Sequence, residues 1–317
     1  MIYTVTLNPA LDRELTVSEI IFDDVLRATT LRLDYGGKGF NVSRALAALG
    51  VESTALGFVG GHTGQHIAAG LAMLNIRTDF VPIAGETRTN ISIVSQSQPH
   101  YIKVNEAGPA ITSAEKDALL QKVQNLAQAG DWWVLSGSLP PGMSPAIYAE
   151  IISIVQSAGA EAILDTSGAP LRYGCQAGPF LAKPNAAEAA ELTGLKQAAT
   201  QPPIVARAIH ALGVKNVLIS LGKAGAIFSD GEQLWLTQAP EIEEQNPIGA
   251  GDSAVAGLVW GLSHHLDWSE ILRRSMACGA ATASLAGTAV GPKELVEQLA
   301  KRVKVAEIST LNLLGVE

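Results

Sequence analysis

The sequence predicts an α/β fold built around a mainly parallel β-sheet. Short β-rich runs alternate with helix-like segments along most of the 317 residues, and several of those segments end at a glycine, a common helix C-terminus. Strand and helix repeated in this order place helices on both faces of a parallel sheet. A chain of this length and pattern suits a single domain spanning residues 1–317.

The predicted strands are recognisable as apolar, β-branched runs. In chain order they are IYTVTL from residue 2, STALGFV from 53, WWVLSGS from 132, AILDTS from 162, FLAKPN from 180 and NVLISLG from 216. Helix-like segments begin at residues 40, 64, 113, 144, 185 and 203. Ligands bind at the carboxyl ends of parallel strands, so the polar and glycine-rich ends of these runs predict the edge that carries the site.

Two regions, about 13–34 and about 86–105, break the alternation because they contain strand-like pieces without intervening helices. They predict a small antiparallel sheet that projects from the core as a lid. A sheet of this size needs cover on its bare face. A second subunit or a substrate would supply that cover.

The composition predicts a soluble, cytoplasmic protein that works on small molecules. A net charge of −8 disfavours nucleic acid and anionic membranes as partners. The two cysteines, Cys175 and Cys278, have no metal-binding spacing and indicate a reducing compartment. The N-terminus lacks the pattern of a secretory signal, and no uncharged apolar run is long enough to span a bilayer.

The stretch NPIGAGDSAVAG, residues 246–257, puts a carboxylate at the entrance of an apolar helix. Helix propensity is good from Ser253 onwards, so Gly249 and Gly251 lie where free N–H groups and the helix dipole favour an anion. Asp252 would then accept a proton from a nucleophile that attacks a phosphate. Alternatively, Asp252 is only an N-cap, or GAGDSA is a dinucleotide fingerprint, although no strand-like run precedes it.

A series of motifs in matching order resembles the PfkB family of ribokinase-like sugar kinases over nearly the whole chain. The two strongest are GGKGFNVSRALAALG from residue 36 and NPIGAGDSAVAG, and they are accompanied by LNPALD, GFVGGHTG, SGSLPPG, KPNAAE and SLGKAGA. The similarity is greatest to the hexose-phosphate branch, which includes 1-phosphofructokinase, tagatose-6-phosphate kinase and the minor 6-phosphofructokinase. The resemblance implies a ribokinase-like three-layer sandwich with a small β-sheet lid, often shared in a homodimer.

The resemblance also implies site roles in the ATP- and Mg²⁺-dependent phosphorylation of a sugar hydroxyl. Asp252 would be the base, over a main-chain anion hole formed by Gly249, Ala250 and Gly251. The Asn-x-x-Glu element, Asn185 and Glu188, would organise Mg²⁺. The expected ATP site comprises Lys183, Asn185, Ser220, Gly222 and Gly225. The expected sugar contacts are Asp12, Gly37, Lys38 and Asn41.

Basic residues on the proposed lid favour a phosphorylated sugar, because a phosphate dianion favours Arg and Lys. Arg88 and Lys103 are the expected phosphate contacts, with ordinary solvated strand positions as the alternative. The GGKG and KVNEAGP motifs most resemble 1-phosphofructokinases, so fructose 1-phosphate, converted to fructose 1,6-bisphosphate, is the first expectation. Tagatose 6-phosphate and fructose 6-phosphate follow. An NAD-dependent oxidoreductase and a non-catalytic sugar-phosphate sensor are the alternatives from other classes.

Two further positions leave alternatives open. Pro247 stands where the family usually carries a threonine or a similar residue. Its carbonyl survives, so a site for a monovalent cation such as K⁺ stays open. Asp165 ends a predicted buried strand, where a contact to metal-bound water and a turn-stabilising role are both open.

Overall fold

The computed structural model describes residues 1–98, 100–195 and 201–308. Its centre is a mainly parallel sheet formed by the six strands that the sequence predicted, in the spatial order β12-β11-β10-β9-β1-β4. These strands are β1 (Ile2–Thr6), β4 (Thr54–Val59), β9 (Trp132–Ser136), β10 (Glu161–Asp165), β11 (Leu181–Ala182) and β12 (Asn216–Ser220). The predicted α/β class is confirmed.

Shorter strands extend both edges of this sheet. Next to β4 lie β5 (Arg77–Thr78) and β6 (Val81–Pro82). Beyond β12 the sheet continues with antiparallel strands that the sequence did not predict: β13 (Ala226–Ser229), β14 (Leu234–Gln238) and β15 (Lys304–Ile308). No structure was predicted for the C-terminal stretch AEISTLNLLGVE, residues 306–317; residues 306–308 lie in β15, and residues 309–317 lie outside the described residues.

Helices cover both faces of the sheet, so the fold is the expected three-layer sandwich. One layer contains α3 (Ser113–Leu126), α4 (Ile147–Ser157), α5 (Gly168–Gln176), α6 (Ala186–Thr193) and α7 (Pro202–His210). The other contains α1 (Lys38–Ala48), α8 (Ala250–Ser263), α9 (Trp268–Ala283) and α10 (Lys293–Ala300). Successive residues of β9 serve both layers, since Trp133 and Leu135 pack into one core and Val134 into the other. Within the described ranges no helix is long and apolar enough to cross a membrane.

The two irregular regions form a separate sheet of four strands, in the order β3-β2-β7-β8. Its strands are β2 (Ala10–Val17), β3 (Thr30–Gly36), β7 (Arg88–Ser95) and β8 (Tyr101–Asn105). The outer pairs are antiparallel, as expected, but β2 and β7 pair in parallel. The expectation of a purely antiparallel sheet is therefore wrong. Both strands follow parallel strands of the large sheet and leave it in the same direction.

The small sheet is attached to the core at its base and bare on one outer face. At the base, Leu11 packs with Phe40 of α1 and with Ile67 of α2 (Gly61–Met73). Further out, strand register aligns a set of aliphatic residues on one face, called here the apolar lid face: Leu15, Leu31, Leu33, Ile91, Ile93, Ile102 and Val104. Leu31 is 52% exposed and Val104 is 57% exposed, so this face lacks cover within the described chain.

Candidate active site

The first turn of α8 lies beside the carboxyl ends of the central strands. Its N-cap is Gly249, whose φ of 79° lies in the left-handed region that favours glycine. Ala250 and Gly251 open the helix, and Asp252 is its third residue, so Asp252 is not the N-cap. No side chain in the described ranges caps this helix. Of the N–H groups at this end, that of Ala250 donates to the Pro247 carbonyl at 3.2 Å, and the others have no side-chain cap within the described chain and are available to a ligand.

Asp252 is buried, with 7% exposure, and its Oδ2 accepts a hydrogen bond of 2.8 Å from Nδ2 of Asn41 on α1. Burial raises the pKa of Asp252 to about 6, and the nearby Asp165 carboxylate adds to this effect, whereas Lys38, Asn41 and Lys183 oppose it. A carboxyl group with a pKa just below neutral is ionised at pH 7 and still basic enough to accept a proton.

Asp165, at the end of β10, joins two lysines. Its Oδ1 lies 3.2 Å from Nζ of Lys38 and 3.3 Å from Nζ of Lys183. Its Oδ2 is buried and has no hydrogen-bond partner in the described chain. Burial alone would lower the pKa of Lys38, but Asp165 and Asp252 outweigh it and raise that pKa. Lys38 therefore stays positively charged, and Lys183 lies next to the first turn of α8, where a Cβ on Gly251 would lie 3.8 Å from its Nζ.

The Asn-x-x-Glu element forms the N-terminal cap of α6. Asn185 Oδ1 accepts from the backbone N–H of Glu188 at 2.9 Å, and Glu188 Oε2 accepts from the backbone N–H of Asn185 at 2.8 Å. This reciprocal capping box leaves Glu188 Oε1 outside the cap. The Glu188 charge raises the pKa of Lys38, as do those of Asp165 and Asp252; of these three carboxylates, Asp165 forms an ion pair with the Lys38 ammonium group at 3.2 Å.

The other residues expected at the ATP site lie next to this cap. Ser220, the last residue of β12, forms an isolated parallel bridge with Asn185. Gly222 and Gly225 lie in the turn before β13, with φ values of 61° and 105°. A Cβ on Gly225 would collide with the Thr237 carbonyl of β14, so this glycine has a packing reason that is independent of any nucleotide.

The expected sugar contacts converge at the base of the small sheet. Asp12 Oδ1 accepts a 2.7 Å hydrogen bond from Asn90 Nδ2 across the β2–β7 pair. Gly37 is the N-cap of α1, directly before Lys38. Burial raises the pKa of Asp12, opposed by its bond to Asn90 and by the charges of Lys103 and Arg88.

The two basic residues expected to bind phosphate differ in their surroundings. Arg88 donates to the main-chain carbonyls of Asn8 at 2.9 Å, Pro9 at 3.4 Å and Glu106 at 2.9 Å. It therefore ties the base of the lid to the end of β1, a structural role that the sequence did not predict. Lys103 is exposed on β8.

Sequence reasoning missed Asn90 and left two roles open for Asp165, a contact to metal-bound water and the stabilisation of a turn. Asn90 lies two residues from Arg88 on a strand, so alternation alone would have placed both side chains on one face. Asp165 ends a buried strand beside Ser136 in register, and the rule that ligands lie at strand carboxyl ends was the available signal.

A family model for pfkB carbohydrate kinases matches residues 6–294. The chain belongs to this family. It is therefore an ATP-dependent phosphotransferase with an alcohol group as acceptor, and a sugar phosphate is its second substrate. Residues 239–249, which precede α8, contain no strand, so the context that a dinucleotide fingerprint needs is missing.

Individual relatives cover the kinase nearly end to end. A 1-phosphofructokinase from Bacillus subtilis (strain 168) is 35% identical over 309 residues, which is 97% of this chain and 100% of that protein. A 1-phosphofructokinase from Borreliella burgdorferi is 37% identical over 285 residues, covering 89% of this chain and 92% of that protein. The crystal structure of phosphofructokinase-2 from Escherichia coli in complex with potassium has a TM-score of 0.90 and 31% identity, covering 95% of this chain and 98% of that one.

Proposed function

We propose that the kinase transfers the γ-phosphoryl group of ATP to fructose 1-phosphate and forms fructose 1,6-bisphosphate. Relatives of 35% and 37% identity carry the name 1-phosphofructokinase. Fructose 6-phosphate is the second candidate because the similar Escherichia coli structure is a phosphofructokinase-2. Tagatose 6-phosphate is the third candidate, and only the resemblance of the sequence motifs supports it.

The position of Asp252 carries the proposal. Asn41 engages Oδ2 of this buried carboxylate, which leaves Oδ1 to accept the proton of the acceptor hydroxyl. The main-chain N–H groups of Gly249, Ala250 and Gly251 are proposed to form the anion hole for the transferring phosphoryl group, for which the Ala250 N–H would have to leave the Pro247 carbonyl. Lys38 and Lys183 offset its negative charge. Phosphoryl transfer depends mainly on such positioning and charge stabilisation, and a positioned base adds roughly two to four orders of magnitude.

Oxygen atoms of Asp165 and Glu188 offer ligands for Mg²⁺, which the family's chemistry implies, although the described residues hold no cluster of three or more Asp, Glu, His or Cys side chains that could bind a metal. Mg²⁺ prefers oxygen ligands and keeps several waters, and the unpartnered Asp165 Oδ2 and the Glu188 oxygen outside the cap are of that kind. Asp165, Asn185 and Glu188 are the residues proposed to hold it. When bound, Mg²⁺ neutralises charge on the ATP phosphates.

We include a monovalent cation in the proposal because the related Escherichia coli structure contains potassium. The loop before α8 contributes main-chain carbonyls. One of them, that of Pro247, already accepts a 3.2 Å hydrogen bond from Ala250 N. Stimulation of turnover by K⁺ over a bulky cation such as tetramethylammonium would support this part. Equal turnover in the K⁺ salt and in the tetramethylammonium salt would exclude a role for the monovalent cation.

On the sugar side, Asp12, Gly37, Lys38 and Asn41 are proposed to hold the hexose, with Arg88 and Lys103 near its phosphate. Because Arg88 also ties down three carbonyls, its replacement would loosen the lid as well. Lys103→Ala is therefore the cleaner variant. It should raise the KM for the sugar phosphate much more than the KM for ATP.

The deciding experiment measures ADP release with fructose 1-phosphate, fructose 6-phosphate, tagatose 6-phosphate, fructose and ribose. We expect kcat/KM to be highest for fructose 1-phosphate and very low for the unphosphorylated sugars. Asp252→Asn, the same shape without the charge, should lower kcat by about two orders of magnitude or more. If kcat/KM is higher for fructose 6-phosphate or tagatose 6-phosphate, that sugar phosphate is the substrate instead of fructose 1-phosphate. A nearly active Asp252→Asn variant would overturn the mechanism.

A further inference from the structure

The C-terminal turn of α9 lies directly against the first turn of α8. Thr282, which is 2% exposed, donates from Oγ1 to Ser253 Oγ at 2.8 Å. The same Oγ1 accepts from the backbone N–H of Gly291 at 3.2 Å. The Thr282 hydroxyl therefore uses its proton toward Ser253 and one of its two lone pairs toward Gly291. Ser253 is the residue after Asp252.

The same turn of α9 also supports the loop that leads into α8. The carbonyl of Ala283 accepts from the backbone N–H groups of Gln245 at 2.9 Å and Asn246 at 3.1 Å. The two helices approach so closely that a Cβ on Gly279 would lie 3.0 Å from the Ala250 carbonyl. Consecutive residues of α9 thus hold both ends of the segment 245–253, which contains the anion hole and the base.

We propose that Thr282 is a positioning residue for phosphoryl transfer. Its hydroxyl fixes the first turn of α8, and with it the distance from the Asp252 carboxylate and the main-chain N–H groups to the reacting atoms. A displacement of about 1 Å in such a site can cost roughly a hundredfold in rate. The proposal rests on the function proposed above for Asp252 and for the anion hole.

The test uses two substitutions at this position. Thr282→Val removes the hydroxyl at nearly constant volume, and we expect kcat to fall roughly ten- to a hundredfold while KM for ATP and for the sugar phosphate changes less than about twofold. Thr282→Ser keeps the hydroxyl and should restore kcat to within about threefold of the wild type. A structural role alone would not produce this division between kcat and KM.

Ser275→Ala is the matched control. Ser275 is fully buried on α9 and donates to the Ala254 carbonyl of α8 at 2.8 Å, so its loss breaks a second contact between the helices, deeper in the core. It should lower the melting temperature about as much as Thr282→Val does and leave kcat unchanged. Equal loss of kcat in both variants, or full activity in Thr282→Val, would overturn the proposal.

Two further measurements keep the outcomes distinct. If Thr282→Val does not fold, Ser253→Ala removes the acceptor of the same hydrogen bond, and the same fall in kcat is expected. If Asp252→Asn proves active, the proposed role of Asp252 as the base fails, whatever the result for Thr282. An inactive Asp252→Asn variant together with an active Thr282→Val variant overturns the positioning role alone.

Discussion

Asp252 lies between opposing influences: burial and Asp165 raise its pKa to about 6, while Lys38, Asn41 and Lys183 lower it. Because a carboxyl group must be ionised to accept a proton, kcat/KM should fall as the pH drops below this value. Asn41→Ala removes a hydrogen bond that favours the ionised form, so the acidic limb should move to higher pH. A pH–rate profile over about pH 5 to 8 measures this. A limb that stays in place in Asn41→Ala would assign the titration to another group.

The same raised pKa predicts that Asp252 destabilises the folded protein at neutral pH. Its folded-state pKa of about 6 exceeds the ordinary value of 3.8. Between these values the folded state binds more protons than the unfolded state, so stability falls as the pH rises through that window. The difference corresponds to roughly 3 kcal/mol. Asp252→Asn should therefore raise the free energy of unfolding at about pH 8 by up to this amount while turnover is lost.

Urea unfolding at two pH values tests this assignment. The gain in Asp252→Asn should largely disappear near about pH 4, where the folded wild type is protonated. Asp117→Asn is the control, because this carboxylate on α3 is 70% exposed, and its removal should change stability little at either pH. A gain that persists at low pH would mean that the charge of Asp252 is not its cause.

How far the site could be predicted from sequence depends on what each residue contacts. Lys38 and Asn41 were found because their motifs resemble a known family, whereas Asp252 also stood out as a carboxylate after two glycines at the start of an apolar helix. No spacing rule links Asn41 to Asp252, which are 211 positions apart. Asn90 and Thr282 donate hydrogen bonds to partners 78 and 29 positions away. A polar residue in a strand or helix looks the same in sequence whether it faces water or a buried partner.

At the scale of elements, the cap of α6 doubles as the expected Mg²⁺ element, and the two roles can be separated. Glu188→Gln keeps an oxygen that can accept from the Asn185 N–H but removes the charge. We expect an unchanged melting temperature and a several-fold higher Mg²⁺ concentration at half-maximal rate. The matched control is Glu115→Gln in the Thr112–Glu115 capping box of α3, which should leave the Mg²⁺ dependence unchanged. The same Mg²⁺ dependence in both variants would reduce Glu188 to a cap.

The sequence predicted those elements whose local pattern of apolar residues is sufficient to determine their structure. The six central strands are apolar runs buried between two helix layers. By contrast, β15 is largely exposed and is a strand because it pairs with β14. Helix α9 carries Gly279 and other small residues where it meets α8, which weakens its apolar period. Pairing and close helix contact are tertiary effects, so local sequence could not predict these elements.

At the scale of the whole molecule, the two sheets have different tasks. The large sheet fixes Asp165, Lys183 and Ser220 at the ends of successive strands or directly after them. The small sheet brings Asp12 and Asn90 to the same region on its polar face. The alternation of strand-like and helix-like segments predicted the large sheet, and the two regions without intervening helices predicted the small sheet. The parallel β2–β7 pair could not be predicted, because the direction of those strands depends on how both leave the core.

The bare apolar lid face predicts a homodimer in which a second copy of this chain covers it. Burying a leucine side chain contributes about 1.5–3 kcal/mol, so a charge at Leu31, which is 52% exposed, should abolish the contact. We expect the wild type to sediment as a dimer and Leu31→Glu as a monomer with a raised KM for the sugar phosphate, because the lid carries Asp12 and Lys103. Leu236→Glu, on β14 and 41% exposed, should remain dimeric. A monomeric wild type, or equal dissociation of both variants, would contradict pairing through the lid.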